Sequence, residues 1–231
     1  LFIEETVWSE RSDYRQLLLA DHMMLNPFLK EFYLPSEGDS HEGKSDLSSV
    51  SAEFMRVSFP KDQRSGILTH PYLLSAFAYH NNTSPIHRGV FLTRNIVGRA
   101  LNPPPMAVAF KDSDYPEDIT MREKVTQLTS DTACMACHSI INPLGFALEN
   151  FDAVGRWRTH EKTKPVDTLS EYLTEDGESI EVKKARDIAE FAAKNESAHT
   201  AFVSQLFHHF VKHPPAAFKP GALQSLRLQF E

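Results

Sequence analysis

The chain has 231 residues, of which 41% are hydrophobic and 24% charged, and its formal net charge is -7. That length suffices for one or two domains with a real core, in the composition range of globular proteins. The acidic balance excludes nucleic acid as the expected partner, since phosphate binding takes a basic footprint, and no apolar run reaches the ~20 residues of a transmembrane segment.

The start, Leu1-Phe2-Ile3-Glu4-Glu5, lacks the basic and apolar regions of a signal peptide. It reads as the interior of a longer polypeptide, with the true beginning expected upstream. Residues 13–20 (DYRQLLLA) predict a short helix capped by Ser12. Asn26-Pro27 predicts a second through Phe28, Leu29 and Phe32, with Asn as cap and Pro at the first helical position. Residues 35–50, rich in Ser, Gly, Glu and Asp, read as an exposed, partly disordered loop.

Apolar density returns at Gly66 and continues through residues 67–74 to a polar turn at Asn81-Asn82-Thr83. Ser84-Pro85 predicts a helix to about Val97, with Ile86, Val90, Phe91 and Val97 at helical spacing and Gly98 as its stop. Pro103, Pro104 and Pro105 form an extended spacer. Thr120 and Glu123 have capping-box spacing, ahead of inward Val125 and Leu128. Asp131 or Thr132 opens the next segment, and Asn142-Pro143 predicts a fresh helix over 144–151. Residues 165–182 predict a hairpin turning at Asp176-Gly177. Helices over about 182–194 (Ile188, Phe191 and Ala192 inward) and 197–212 (Phe202, Leu206 and Phe210 inward) close the chain. The expected fold is mainly α, with a small β-hairpin and a C-terminal helical pair.

Cys134 and Cys137 are the two cysteines. A bridge between them would close a loop too short to staple a chain of this size. With His138 they form Cys134-Met135-Ala136-Cys137-His138, the C-x-x-C-H signature of covalent c-type haem. The spacing suits the chemistry: two thiols on one turn add across the two porphyrin vinyl groups, and the next residue binds iron as proximal ligand. A thioredoxin-like site wants a preceding strand and a βαβ setting, whereas a capped helix precedes this one. Zinc wants four ligands, commonly with a second close pair, and the nearest later histidine, His160, stands alone.

The run directly after the motif, residues 141–158 (INPLGFALENFDAVGRWR), resembles the planctomycete-type cytochrome c family. The resemblance extends upstream to residues 66–74 (GILTHPYLL), 83–91 (TSPIHRGVF), the prolines from Pro103, and 17–33 (LLLADHMMLNPFLKEFY), and forward into the C-terminal helices. It implies a secreted or periplasmic multidomain haem protein of which this is the C-terminal portion, without supplying a reaction. The expected organisation is residues 1–60 ending an upstream domain, 61–160 as a c-type haem domain, and 161–231 as a small β-hairpin with helices.

The sixth ligand decides between an electron-transfer haem and an open, reactive one. The candidates are His70, His80, His87, His160 and Met106. His70 is the expected distal ligand, opposite His138, because Pro71 favours an extended backbone there and the flanking segment is apolar. His208, His209 and His213 near a helix end complement its dipole and read as solvated. Phe146, Phe151 and Trp157 read as core residues or haem-pocket walls. Arg156 and Arg158 read as partners of the haem propionates or of Asp152 and Glu149.

The sequence therefore predicts one haem c per chain. It would be held by Cys134, Cys137, His138 and His70, and would pass electrons to a redox partner protein or to other domains of the same exported polypeptide. The rivals are a peroxidase-like or oxygenase-like haem enzyme with an open distal site, and a structural haem or zinc module.

Overall fold

Most helices in the computed structural model, which describes residues 1–10, 12–34, 52–103 and 109–230, begin where a side chain can satisfy a free backbone N–H. Asp13 accepts from the Arg15 N–H to start α2 (Tyr14–Leu19), a residue beyond the expected Ser12 cap. Asn26 accepts from the Leu29 N–H at the head of α3 (Pro27–Tyr33), and Ser84 from the His87 N–H at the head of α5 (Pro85–Phe91). The capping box between Thr120 and Glu123 opens α6 (Met121–Leu128) as the spacing predicts. Beyond α5 the chain continues as a π-helical segment, Leu92–Ile96, and Gly98 takes a φ of 79° just past it. That left-handed conformation is cheap only for glycine.

The predicted start at Asn142-Pro143 is not a start. Both residues lie inside α7 (Thr132–Phe146), which runs unbroken from its Asp131 cap through the cysteine motif. Proline removes a backbone donor and disfavours helix at the residue before it. Tertiary packing overrides that local preference, because α7 lies directly against α5. A Cβ on Gly89 would stand 2.3 Å from the Ile141 carbonyl oxygen, and one on Gly145 would stand 2.1 Å from that of Pro85. The pairing of Gly89 with Ile141 and of Pro85 with Gly145 makes the two helices antiparallel.

The fold is mainly α, with small two-stranded sheets, one of them β3 (His160–Glu161) paired antiparallel with β4 (Lys164–Pro165). The expected hairpin forms from β5 (Ser170–Leu173) and β6 (Ser179–Val182), with Gly177 at φ 82° in its turn. The closing helices are α8 (Ala185–Ala192) and α9 (Glu196–Val211), and a further helix, α10 (Ala222–Phe230), packs on α9. Two elements carry no cap or turn signal in the sequence: α1 (Phe2–Trp8) and the antiparallel pairing of β1 (His22–Leu25) with β2 (Met55–Ser58). The expected loop over 35–50 lies outside the described residues. No helix among the described residues is long and apolar enough to cross a membrane.

One core draws on Leu18, Leu68, Leu144, Leu148, Val182 and Ile188, each at most 1% exposed. Burying a side chain of this size contributes about 1.5–3 kcal/mol, so the C-terminal half of α7 is firmly anchored. Arg88 fixes the chain that follows it. The guanidinium is fully buried and donates to the carbonyls of Phe151 (2.9 Å), Asp152 (2.8 Å) and Leu74 (3.1 Å). The buried Glu149 carboxylate lies 3.8 Å from it and accepts from Thr83 (2.7 Å) and Arg158 (3.1 Å). Burial pulls Arg88 down to about 10, which still leaves it charged at neutral pH.

Candidate functional site

The two halves of α7 differ in cover. From Ile141 to Phe146 every residue is buried, whereas Cys134, Cys137 and His138 are half-buried and Met135 is 40% exposed. Positions i, i+3 and i+4 share one helical face, so both thiols and the imidazole project from the uncovered half. Neither cysteine is in a disulfide. Cys134, Cys137 and His138 thus share one face of α7.

A surface recess of about 550 Å3 lies beside His138, lined by it and by Met135, Asn142, Phe146, Thr129 and Arg122 among others; neither cysteine is in its lining. Phe146 gives it an apolar wall, and the Arg122 guanidinium stacks on that ring at 4.5 Å from its centroid. Arg122 donates to the carbonyls of Leu169 (2.7 Å) and Asp167 (3.2 Å), which ties the recess to the segment before β5. Burial holds Arg122 below the usual arginine value, with Asp167 partly offsetting it.

His138 is held from behind. Its Nδ1 lies 2.9 Å from Asn142 Oδ1, one helical turn on. The Asn142 amide nitrogen in turn donates to Thr129 Oγ1 at 2.9 Å. Neither Asn142 nor Thr129 was singled out from the sequence. The signal was present in the i, i+4 spacing of His138 and Asn142, but reading Asn142 as a helix cap obscured it.

The donor set would suit a c-type haem: two free thiols and one imidazole on a single half-buried helical face, with Nδ1 of the imidazole engaged by Asn142. A tetrahedral zinc site takes four protein ligands, and among the described residues no group of three or more His, Cys, Asp or Glu is placed to hold a metal ion.

Of the other candidates, none of the described ones lines this recess. His70 caps α4 (Pro71–Ala76), its Nδ1 accepting from the Tyr72 N–H at 3.3 Å. Its ring packs on Phe2 at 5.8 Å, and it is not among the residues lining the recess beside His138. Burial, and secondarily the nearby Arg64 charge, hold its imidazole below the usual histidine value. His80, His87 and His160 are exposed, and His87 packs on Tyr79 at 5.4 Å. Met106 and the prolines Pro104 and Pro105 lie outside the described residues. His208, His209 and His213 are exposed at and beyond the last turn of α9.

Arg156 pairs with Asp152 at 2.7 Å and Arg158 with Glu149 at 3.1 Å. Phe151 is buried and meets Trp157 edge-on at 5.3 Å, so both belong to the core, while Phe146 walls the recess.

Residues 64–161 match the model of one protein family, PSCyt3, described as a protein of unknown function (DUF1588). That span takes in the cysteine motif and four of the stretches that carry the cytochrome resemblance, residues 66–74, 83–91, the prolines from Pro103, and 141–158. No curated protein and no solved structure matches the chain.

Proposed function

We propose that this chain, whose residues 64–161 match the PSCyt3 family model, is an electron-transfer module carrying one covalent haem c. The observation that carries the reading is the juxtaposition on α7 of two free thiols and an imidazole whose Nδ1 is already engaged. Cys134 and Cys137 would anchor the porphyrin, and His138 Nε2 would bind its iron. Bound there, the haem supplies a one-electron ferric/ferrous couple. The chain's own part is to hold the ligand ring, to wall one side with Phe146 and to leave the motif half of α7 accessible to a partner.

Accessibility matters because an electron must leave through an exposed edge. The partner is a redox protein or another domain of the same polypeptide. Attachment of this kind implies an exported protein, periplasmic or extracellular, in keeping with the family resemblance.

One observation favours a second reading. His70 caps α4 through Nδ1, packs on Phe2 and does not line the recess beside His138. An open distal face would suit peroxide or oxygen chemistry.

Two measurements on one sample test both readings. Denaturing mass spectrometry of the mature protein should show haem mass retained on the wild-type chain and lost from the Cys134→Ala/Cys137→Ala variant. An unmodified wild-type mass refutes the proposal. A low-spin spectrum unchanged by carbon monoxide supports electron transfer, and a high-spin haem that binds it supports the enzyme.

A further inference from the structure

The hydrogen bonds behind His138 run in one direction, and following them fixes where its proton lies. Thr129 closes α6, and its hydroxyl donates to the Val125 carbonyl at 2.8 Å. A hydroxyl has one hydrogen, so once it is spent on Val125 the Thr129 oxygen can only accept. It accepts from the Asn142 amide nitrogen. That sets the amide with its nitrogen toward Thr129 and its oxygen toward His138. A carbonyl oxygen cannot donate, so the ring nitrogen facing it, Nδ1, carries the hydrogen. The neutral imidazole then bears its lone pair on Nε2, the nitrogen free to bind a metal.

The relay is shielded. Thr129 is 2% exposed and Asn142 6% exposed, so water competes poorly for either bond. It also joins two helices, since Thr129 ends α6 while Asn142 and His138 lie on α7.

We propose that Asn142 is the positioning residue of the haem ligand: oriented by Thr129, it locks His138 in the Nδ1–H tautomer with Nε2 toward the iron, and by accepting the Nδ1 hydrogen it makes the imidazole a stronger donor. The inference rests on the haem reading above. A stronger donor stabilises ferric over ferrous iron, so the bond lowers the reduction potential, the usual effect of a hydrogen-bonded partner behind a ligating histidine.

The test uses the full chain, with haem and without it. In the haem-loaded protein, Asn142→Leu should raise the midpoint potential and Asn142→Asp, a stronger acceptor, should lower it. A merely structural role would not move the potential in opposite directions with the sign of the acceptor. Thr129→Val, which keeps the shape and removes the hydroxyl, should move it in the same direction as Asn142→Leu but by less.

In the haem-free chain with 15N-labelled histidine, at a pH where the ring is neutral, His138 should appear as the Nδ1–H tautomer. It should shift toward Nε2–H in Asn142→Leu and in Thr129→Val. Wild-type His138 in the Nε2–H form overturns the proposal. So does a potential indifferent to all three substitutions. A chain that shows the Nδ1–H tautomer yet retains no haem in mass spectrometry sinks the haem reading and leaves the hydrogen-bond order standing.

Discussion

Gly145 of α7 lies so close to Pro85 of α5 that a Cβ on it would stand 2.1 Å from the Pro85 carbonyl oxygen. The obstacle is backbone, which cannot swing aside as a side chain would, so the two helices meet at this distance only because position 145 has no side chain.

Gly145→Ala should therefore force α5 and α7 apart. Overfilling a packed contact typically costs about 1–3 kcal/mol, and the loss should appear as a lower urea midpoint. Because α7 also carries Cys134, Cys137 and His138, the fraction of chain that retains haem should fall with it. An unchanged midpoint would mean that the helices can separate without strain.

His70→Ala separates a cap from a ligand. As the N-cap of α4, His70 accepts one backbone hydrogen bond, and removing it should cost up to about 1 kcal/mol of stability. The spin state of the haem should not change. A switch to high-spin iron in His70→Ala would instead place His70 on the distal face.

Glu123 gives a pH dependence with a definite sign. The hydrogen bond from Lys164, and then that from the Thr120 backbone, hold its carboxyl below the ordinary glutamate value of 4.5. The unfolded chain thus takes up this proton at a higher pH than the folded one. The contribution to stability is complete above 4.5 and fades as pH falls through the lower folded value. Glu123→Gln keeps the size and the oxygen of the capping box and removes the charge. It should be less stable than wild type at pH 7, by under about 1 kcal/mol because the pair is exposed, and the difference should shrink at acid pH. A difference that persists unchanged under acid would show that the charge contributes nothing.

The sequence by itself determined what depends on neighbours along the chain. A cap needs only an acceptor beside the first free N–H, so Asn26, Ser84 and Thr120 were legible, as was the hairpin turn at Asp176-Gly177. The thiol–thiol–imidazole spacing was legible for the same reason, since one helical turn brings Cys134, Cys137 and His138 together wherever that turn lies.

Tertiary structure decided whatever depends on which surfaces meet. Asn142-Pro143 carries a start signal, yet the close approach at Gly89 and Gly145 holds both residues inside a continuous helix. That continuity places Asn142 one turn behind His138 and within reach of Thr129.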